Sequence, residues 1–291
     1  MNDSLPDLQV PAERAPETCL VDLLRLVHKT CNACGIDYFV AGAMARDLIL
    51  YHAFGQKPSR LTWDVDLGIR VKDWDQFSAI KTALLQTGQF STESDLEHRL
   101  QYQQGLLPLD LVPFGEIQTS AGTIAWPPQG NIVMSVAGFA EARRAALNVE
   151  IVPGFVVPVA SIPALAILKL VAWHDRNAET NKDAGDLLLL NKSYALIGNY
   201  DRLYESESAL LQEYDYHPDL AGAALLGKDA ALICLSKTAQ IIQGILSSKI
   251  LRQRLLDHML RSSSWMGNIE TYQNPEPYLD AFARGFAGIT A

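Results

Sequence analysis

The sequence predicts an α+β fold, a mixed sheet with helices against it followed by a helical C-terminal domain. Three observations predict it. Short apolar runs of strand character, at 36–41, 62–70, 98–103, 106–114 and 147–159, are confined to the first 160 residues. Helical periodicity interleaves with them at 17–33 and 73–87. Beyond about residue 190 the apolar stretches have helical character. The expected organisation is a flexible arm over 1–15, a sheet domain over 16–160 and a helical domain over 161–291.

At 291 residues the chain is long enough to bury the cores of two such domains. The formal net charge of −9 argues against coating nucleic acid through a generally basic surface, because that mode neutralises many phosphates at once. The acidic, proline-bearing start lacks the basic and apolar regions of a signal peptide, and no stretch reaches the ~18 apolar residues of a membrane span. A cytoplasmic protein with no membrane partner is expected. Its four cysteines, at 19, 31, 34 and 234, are too few for a disulfide scaffold and lack the second close pair of a four-cysteine zinc site. The Cys31/Cys34 pair closes an amphipathic helix and reads as structural.

Leu20, Leu23, Leu24, Val27 and Cys31 recur at helical spacing, and Gly35 stands where a helix ends. The strand-like IDYFVA then runs into Gly42, and a helix is expected from about Met44. A strand, glycine and helix start in that order free backbone N–H groups that suit a phosphate. Turn residues 55–60 lead to Thr62–Arg70, TWDVDLGIR. A strand there puts Asp64 and Asp66 on one face and Val65, Leu67 and Ile69 on the other. Two carboxylates about 7 Å apart can converge on a hard cation, and Mg²⁺ is usually held by one or two carboxylates plus substrate phosphate oxygens. The plainer reading is a solvated strand.

After the helix at 73–87 comes LLPLDLVPFG, in which Asp110 is the only charge. An ionised carboxylate in such a run is expensive unless it is paired or coordinates a metal. Asp110 is therefore the third candidate carboxylate, with a structural ion pair to Arg99 or Arg46 as the alternative. NVEIVPGFVVPVA suggests a hairpin turning at Pro153 and Gly154. The next helix carries Pro163 near its first turn and Lys169 as a single charge amid Leu165, Ile167, Leu168, Leu170 and Val171. NKDAGDLLLL opens a further helix, where dipole complementarity accounts for Asp183 but less readily for Asp186. Near the C-terminus Lys249, Arg252, Arg254 and Arg261 form a local basic cluster, either simply solvated or able to meet a phosphate backbone.

These motifs resemble the nucleotidyltransferase superfamily that includes DNA polymerase beta and the CCA-adding enzymes. LAILKLVAWHDR (165–176) and KDAGDLLLL (182–190) resemble more specifically the AbiEii-type nucleotidyltransferase toxins. The resemblance spans about 40–190 and implies a nucleotidyltransferase-type sheet with its active site in the cleft beside the helical domain. It implies Asp64, Asp66 and Asp110 as ligands of Mg²⁺ (or Mn²⁺), with Asp110 also a candidate base. It further implies Gly42 and Ala43 as the phosphate turn, with Arg46 and Lys169 as nucleotide contacts, and Asp186 as the acidic residue of the last motif. The family turn commonly reads Gly-Ser or Gly-Gly, so Ala43 removes a hydroxyl and leaves the backbone N–H.

The expected reaction is transfer of a nucleoside monophosphate from an NTP to an acceptor. By resemblance the acceptor is RNA, a tRNA end in particular, and the enzyme is the toxin of a pair with an antitoxin protein. Two alternatives stay open: transfer to a protein hydroxyl or an antibiotic-like small molecule, and a non-catalytic nucleotide-binding module.

Overall fold

A computed structural model of the chain describes residues 7–56, 62–92, 97–103, 105–127, 130, 132–264 and 274–290. Most of the expected turn at 55–60 lies outside the described residues. The chain divides into two units, Met1–Ser161 and Ile162–Ala291. The α+β class holds, with a mixed sheet in the first unit and helices in the second.

The strands of the first unit are β1 (Leu8–Gln9), β2 (Asp37–Ala41), β3 (Val65–Val71), β4 (Phe90–Thr92), β5 (Arg99–Tyr102), β6 (Leu107–Gly115), β7 (Thr123–Ala125), β8 (Val133–Ser135), β9 (Leu147–Val152) and β10 (Phe155–Val159). Eight of them form one sheet in the order β1-β9-β10-β2-β3-β6-β5-β4, while β7 and β8 pair separately. The β3/β6, β10/β2 and β1/β9 pairs are parallel and the others antiparallel. The β9–β10 hairpin turns at Gly154, whose φ of 75° lies in the left-handed region that glycine enters without steric cost. Within the segment expected to be an arm, Leu8–Gln9 adds an edge strand beside β9.

The helices of this unit are α1 (Thr18–Cys34), α2 (Gly42–Asp47), α3 (Trp74–Gln86) and α4 (Phe139–Arg144). α1 buries Leu20, Leu23, Leu24, Val27 and Cys31, and Gly35 caps it at φ 64° with its N–H on the Asn32 carbonyl. Burial pushes the Cys31 thiol up to about 12, so it is packing material rather than a reactive thiolate. The Asp73 side chain accepts from the Gln76 N–H and so caps α3. α2 continues into a π-helical stretch, Leu48–Ala53.

β3 alternates as its sequence implies, with Val65, Leu67, Ile69 and Val71 buried. Its other face is not wholly polar. Phe39 pairs in register with Gly68, where a Cβ would lie 2.3 Å from the Phe39 ring, and Phe114 and Phe139 pack against Phe39. Apolar cover thus occupies this face around Gly68, while Asp66 lies nearer the start of the strand.

The second unit comprises α5 (Ile162–Arg176), α6 (Lys182–Ser193), α7 (Tyr200–Tyr204), α8 (Ser208–Glu213), α9 (Pro218–Ile233), α10 (Ser236–Ser247), α11 (Lys249–Ser264) and α12 (Glu276–Thr290). Its core is built around α9, which buries an unbroken run from Ala221 to Gly227 and packs against α12, α6 and α5. Small residues let the backbones meet. A Cβ on Gly227 would lie 2.0 Å from the Phe282 carbonyl oxygen, and one on Gly285 would lie 1.9 Å from that of Ala224. Among the described residues no helix is long and apolar enough to cross a membrane.

The α9–α12 approach predicts opposite effects for one substitution. Gly285→Ala should destabilise the protein by about 1–3 kcal/mol through overpacking against backbone that cannot give way. Gly244→Ala, in α10 where a Cβ meets nothing within 4 Å, should stabilise it by up to about 1 kcal/mol. Urea unfolding of the two variants beside the native protein measures both.

Candidate active site

β2 ends at Ala41, and Gly42, at φ 63°, turns the chain into α2. Ala41 stands opposite Asp66 in the antiparallel β2–β3 ladder, Asp66 beside Asp110 in the parallel β3–β6 ladder, and Asp110 opposite Arg99 on β5. Residues in register on adjacent strands project from the same face, so Asp66, Asp110 and Arg99 form a row. Gly42 lies against that row. A Cβ there would fall 1.8 Å from Asp66 Oδ2, so the carboxylate occupies space that any other residue would fill.

Asp110 is tightly held. Arg99 donates from Nε to Oδ1 and from Nη2 to Oδ2, both at 2.6 Å, a bidentate pair that fixes the plane of the carboxylate. The ion pair weighed for Asp110 is therefore present, with Arg99 as the partner. Asp64 is placed differently from the expectation. β3 begins at Val65, which pairs with Leu109 of β6, and Asp64 precedes the strand as an exposed residue. Ala43 follows Gly42 in the first turn of α2.

Arg46 is turned into the protein, with only 1% of its surface exposed. Its Nε donates to Asp47 Oδ1 at 2.8 Å and its Nη2 to Thr62 Oγ1 at 3.2 Å. It thereby ties the helix after Gly42 to the segment leading into Asp64 and Asp66.

Among the described residues no three His, Cys, Asp or Glu side chains are gathered closely enough to hold a metal ion. The donor chemistry nevertheless suits a hard divalent cation. Two carboxylates stand side by side on β3 and β6, a third precedes β3, and Gly42 keeps a Cβ off Asp66. Such an ion takes one or two carboxylates and completes its shell with substrate oxygens and water.

Lys169 and Asp186 belong to the second unit and form part of a buried charge cluster. Lys169 Nζ lies 2.6 Å from Asp186 Oδ2 and 3.1 Å from Asp183 Oδ1. Arg176 donates to both oxygens of Asp183, from Nε at 2.7 Å and from Nη2 at 2.9 Å. Burial alone would lower the Lys169 pKa, but Asp186 and Asp183 outweigh it and raise the ammonium above its ordinary value. Burial likewise pushes Asp183 up, while Arg176 and Lys169 hold it below the usual carboxylate range. Asp183, explained in the sequence by the helix dipole, is the hub of the cluster. Its signal was the seven-residue spacing from Arg176 together with the single lysine of an apolar helix.

Asp183→Ala would remove both bonds of Arg176 to that carboxylate and leave Lys169 paired with Asp186, and should cost about 3 kcal/mol, the low end for a broken buried pair because Arg176 is half exposed and Lys169 keeps Asp186 at 2.6 Å. The folded-state pKa is depressed, so the stabilisation is fully present above the ordinary carboxylate value of 3.8 and is lost as pH falls through the folded value. Raised Lys169 gives the opposite limit, with loss only above its ordinary 10.5. Unfolding free energies of native and variant protein should differ by a constant amount from about pH 5 to 9 and begin to approach one another as pH falls below about 4.

No match was found among curated proteins. Similar solved structures include the antibiotic-resistance factor ANT(2'')-Ia, 17% identical, with 69% of this chain and 100% of that one covered and a TM-score of 0.37. An antigenic nucleotidyltransferase-like protein from Paracoccidioides brasiliensis is 21% identical over 71% of this chain and 92% of that one, with a TM-score of 0.39. A tRNA-processing enzyme in its apo form is 13% identical over 89% and 60%, with a TM-score of 0.34. The family described as "Nucleotidyl transferase AbiEii toxin, Type IV TA system" matches residues 34–265, a span that contains Gly42, Asp66, Asp110 and the Lys169 cluster, and the chain belongs to this family of nucleotidyltransferases.

Proposed function

We propose that the protein transfers a nucleoside monophosphate from an NTP to a hydroxyl of RNA, a tRNA end in particular, and that this transfer is the toxic activity of a toxin–antitoxin pair. The observation that carries the reading is the row of Gly42, Asp66 and Asp110 on adjoining elements within the span that defines the family. A toxin acting by nucleotidyl transfer needs an abundant cellular acceptor with a nucleophilic hydroxyl. RNA 3′ ends in the cytoplasm meet that need, and an antitoxin protein would restrain the activity.

In the reaction the acceptor oxygen attacks the α-phosphorus and the bond to the oxygen bridging the β-phosphate breaks. Pyrophosphate leaves with that electron pair, and the hydroxyl proton passes to a base. Asp64, Asp66 and Asp110 would hold Mg²⁺ or Mn²⁺, which when bound neutralises charge developing on the phosphate oxygens. The Gly42–Ala43 turn presents backbone N–H groups to phosphate, without the hydroxyl that a serine would add. Arg99 keeps Asp110 oriented, and with one bond accepted on each oxygen a lone pair on each stays available for a ligand or base role. Lys169 is assigned to the triphosphate and Asp186 to its support, with Lys169→Ala expected to weaken NTP use whatever the acceptor.

The deciding experiment incubates the protein with each α-labelled NTP, a divalent cation, total RNA and protein extract. Label retained in RNA is expected; label in protein or small molecules alone, or none, overturns the acceptor. Asp66→Asn and Asp64→Asn should each lower transfer at least 100-fold, about 2.7 kcal/mol of transition-state stabilisation, with unchanged melting temperature. Unchanged turnover in Asp66→Asn sinks the site. Asp110→Asn separates two roles: lost transfer marks a catalytic carboxylate, whereas lost stability with transfer spared marks a structural partner of Arg99. Gly42→Val should abolish transfer, since its Cβ would displace Asp66.

A further inference from the structure

α11 carries a basic surface that the transfer chemistry does not use. A cavity of about 620 Å³ lies along it, lined by Lys249, Arg254, His258 and Arg261 among others. On a protein of net charge −9 this is a local reversal of sign. Among the described residues none of the three cations lies within ion-pairing distance of a carboxylate, and all three are exposed. Arg254 is instead steered by a neutral group, donating from Nη1 to Asn177 Oδ1 at 2.9 Å. Arg252, one turn away in sequence terms from the same cluster, is engaged by Asp280 and does not line the cavity.

His258 adds a fourth donor whose orientation is fixed. The buried Trp173 donates its indole N–H to His258 Nδ1 at 3.2 Å. Indole nitrogen is a donor only, so Nδ1 is the acceptor and the neutral ring carries its hydrogen on Nε2. Burial, together with Arg261 and Arg254, lowers the pKa of this imidazole, so it remains neutral near pH 7. The single carboxylate of the lining, Asp257, accepts from Gln253 Nε2 at 3.0 Å.

From Lys249 to Arg261 is twelve residues, about 18 Å of helix axis, long enough to meet several successive phosphates of one strand. We infer that the α11 groove binds the phosphate backbone of an RNA strand through Lys249, Arg254 and Arg261, with the His258 Nε2–H as a fixed neutral donor. The inference rests on the proposed RNA acceptor only for the choice of polyanion.

The test is fluorescence anisotropy of a 5′-labelled RNA hairpin with a single-stranded 3′ end, titrated with the full chain at a series of salt concentrations. Replacing Lys249, Arg254 and Arg261 together by Gln should reduce the slope of log K against log[salt] by about 2, since each phosphate contact on a single strand contributes about 0.7. Arg254→Gln alone should reduce it by about 0.7 and Arg252→Gln should leave it unchanged. His258→Phe should weaken binding without altering the slope. Melting temperatures of all variants identify any that fail to fold, and Arg254→Gln, at an exposed position, carries the decision if the triple variant does. Equal slopes for the native protein and Arg254→Gln overturn the groove. Polyglutamate competing as well as an equal charge of unlabelled RNA overturns RNA as its partner. Should the native protein label no RNA in the transfer assay, the acceptor fails, while the groove still stands or falls on the binding slopes.

Discussion

The antiparallel pairing of β2 with β3 is the constraint on which the candidate site depends. Because Ala41 faces Asp66, the residue after the strand, Gly42, must turn directly beside that carboxylate. A side chain at the turn and a carboxylate on β3 cannot both occupy the space, and glycine resolves the conflict in favour of the acid. The β2–β3 ladder ends at Asp66 and the β3–β6 ladder at Val65, so Asp64 stands outside the sheet. Parallel pairing with β6 then brings Asp110 alongside, and the β5–β6 hairpin delivers Arg99. Three backbone registers bring the residues of the candidate site together.

Paired charge is the second recurring device. Arg46 with Asp47, Arg99 with Asp110, and Lys169 with Asp183 and Asp186 each place ionised groups in surroundings that would penalise them singly. Replacing such pairs with apolar side chains is often neutral or stabilising, so stability alone gives little reason for keeping them. Their geometric effect is more telling. Arg46 ties the helix after the glycine turn to Thr62, Arg99 orients one of the two adjacent carboxylates, and Lys169 links α5 to α6. In each of these three bonds a charged group joins two segments 11 to 16 residues apart.

The helical unit reaches its packing by a different route. α9 is apolar on nearly every side, and its glycine and alanine positions let α12 approach until backbone meets backbone. Dispersion between the closely apposed backbones adds to the packing of the buried Leu225, Leu226, Phe282 and Phe286. α11 packs on α6 and α10 and buries Leu255, Leu256 and Met259, which leaves Lys249, Arg254 and Arg261 exposed.

The sequence by itself determined what is local. Amphipathic spacing marked α1 and its glycine cap, alternation marked β3 and the β9–β10 hairpin, and the isolated charges Asp110 and Lys169 announced themselves because an ion in an apolar run demands a partner. Tertiary structure alone decided which partners those are. Asp110 met Arg99 rather than Arg46, Asp183 became the hub of a cluster instead of a helix-dipole acid, and Arg252 was taken by Asp280 while Arg254 and Arg261 stayed clear of carboxylates. The difference has one physical reason. Periodicity and desolvation cost are properties of a stretch of chain, whereas strand register and helix approach bring together residues from different elements, here 7 to 28 positions apart, and no local pattern encodes which of several nearby charges will arrive.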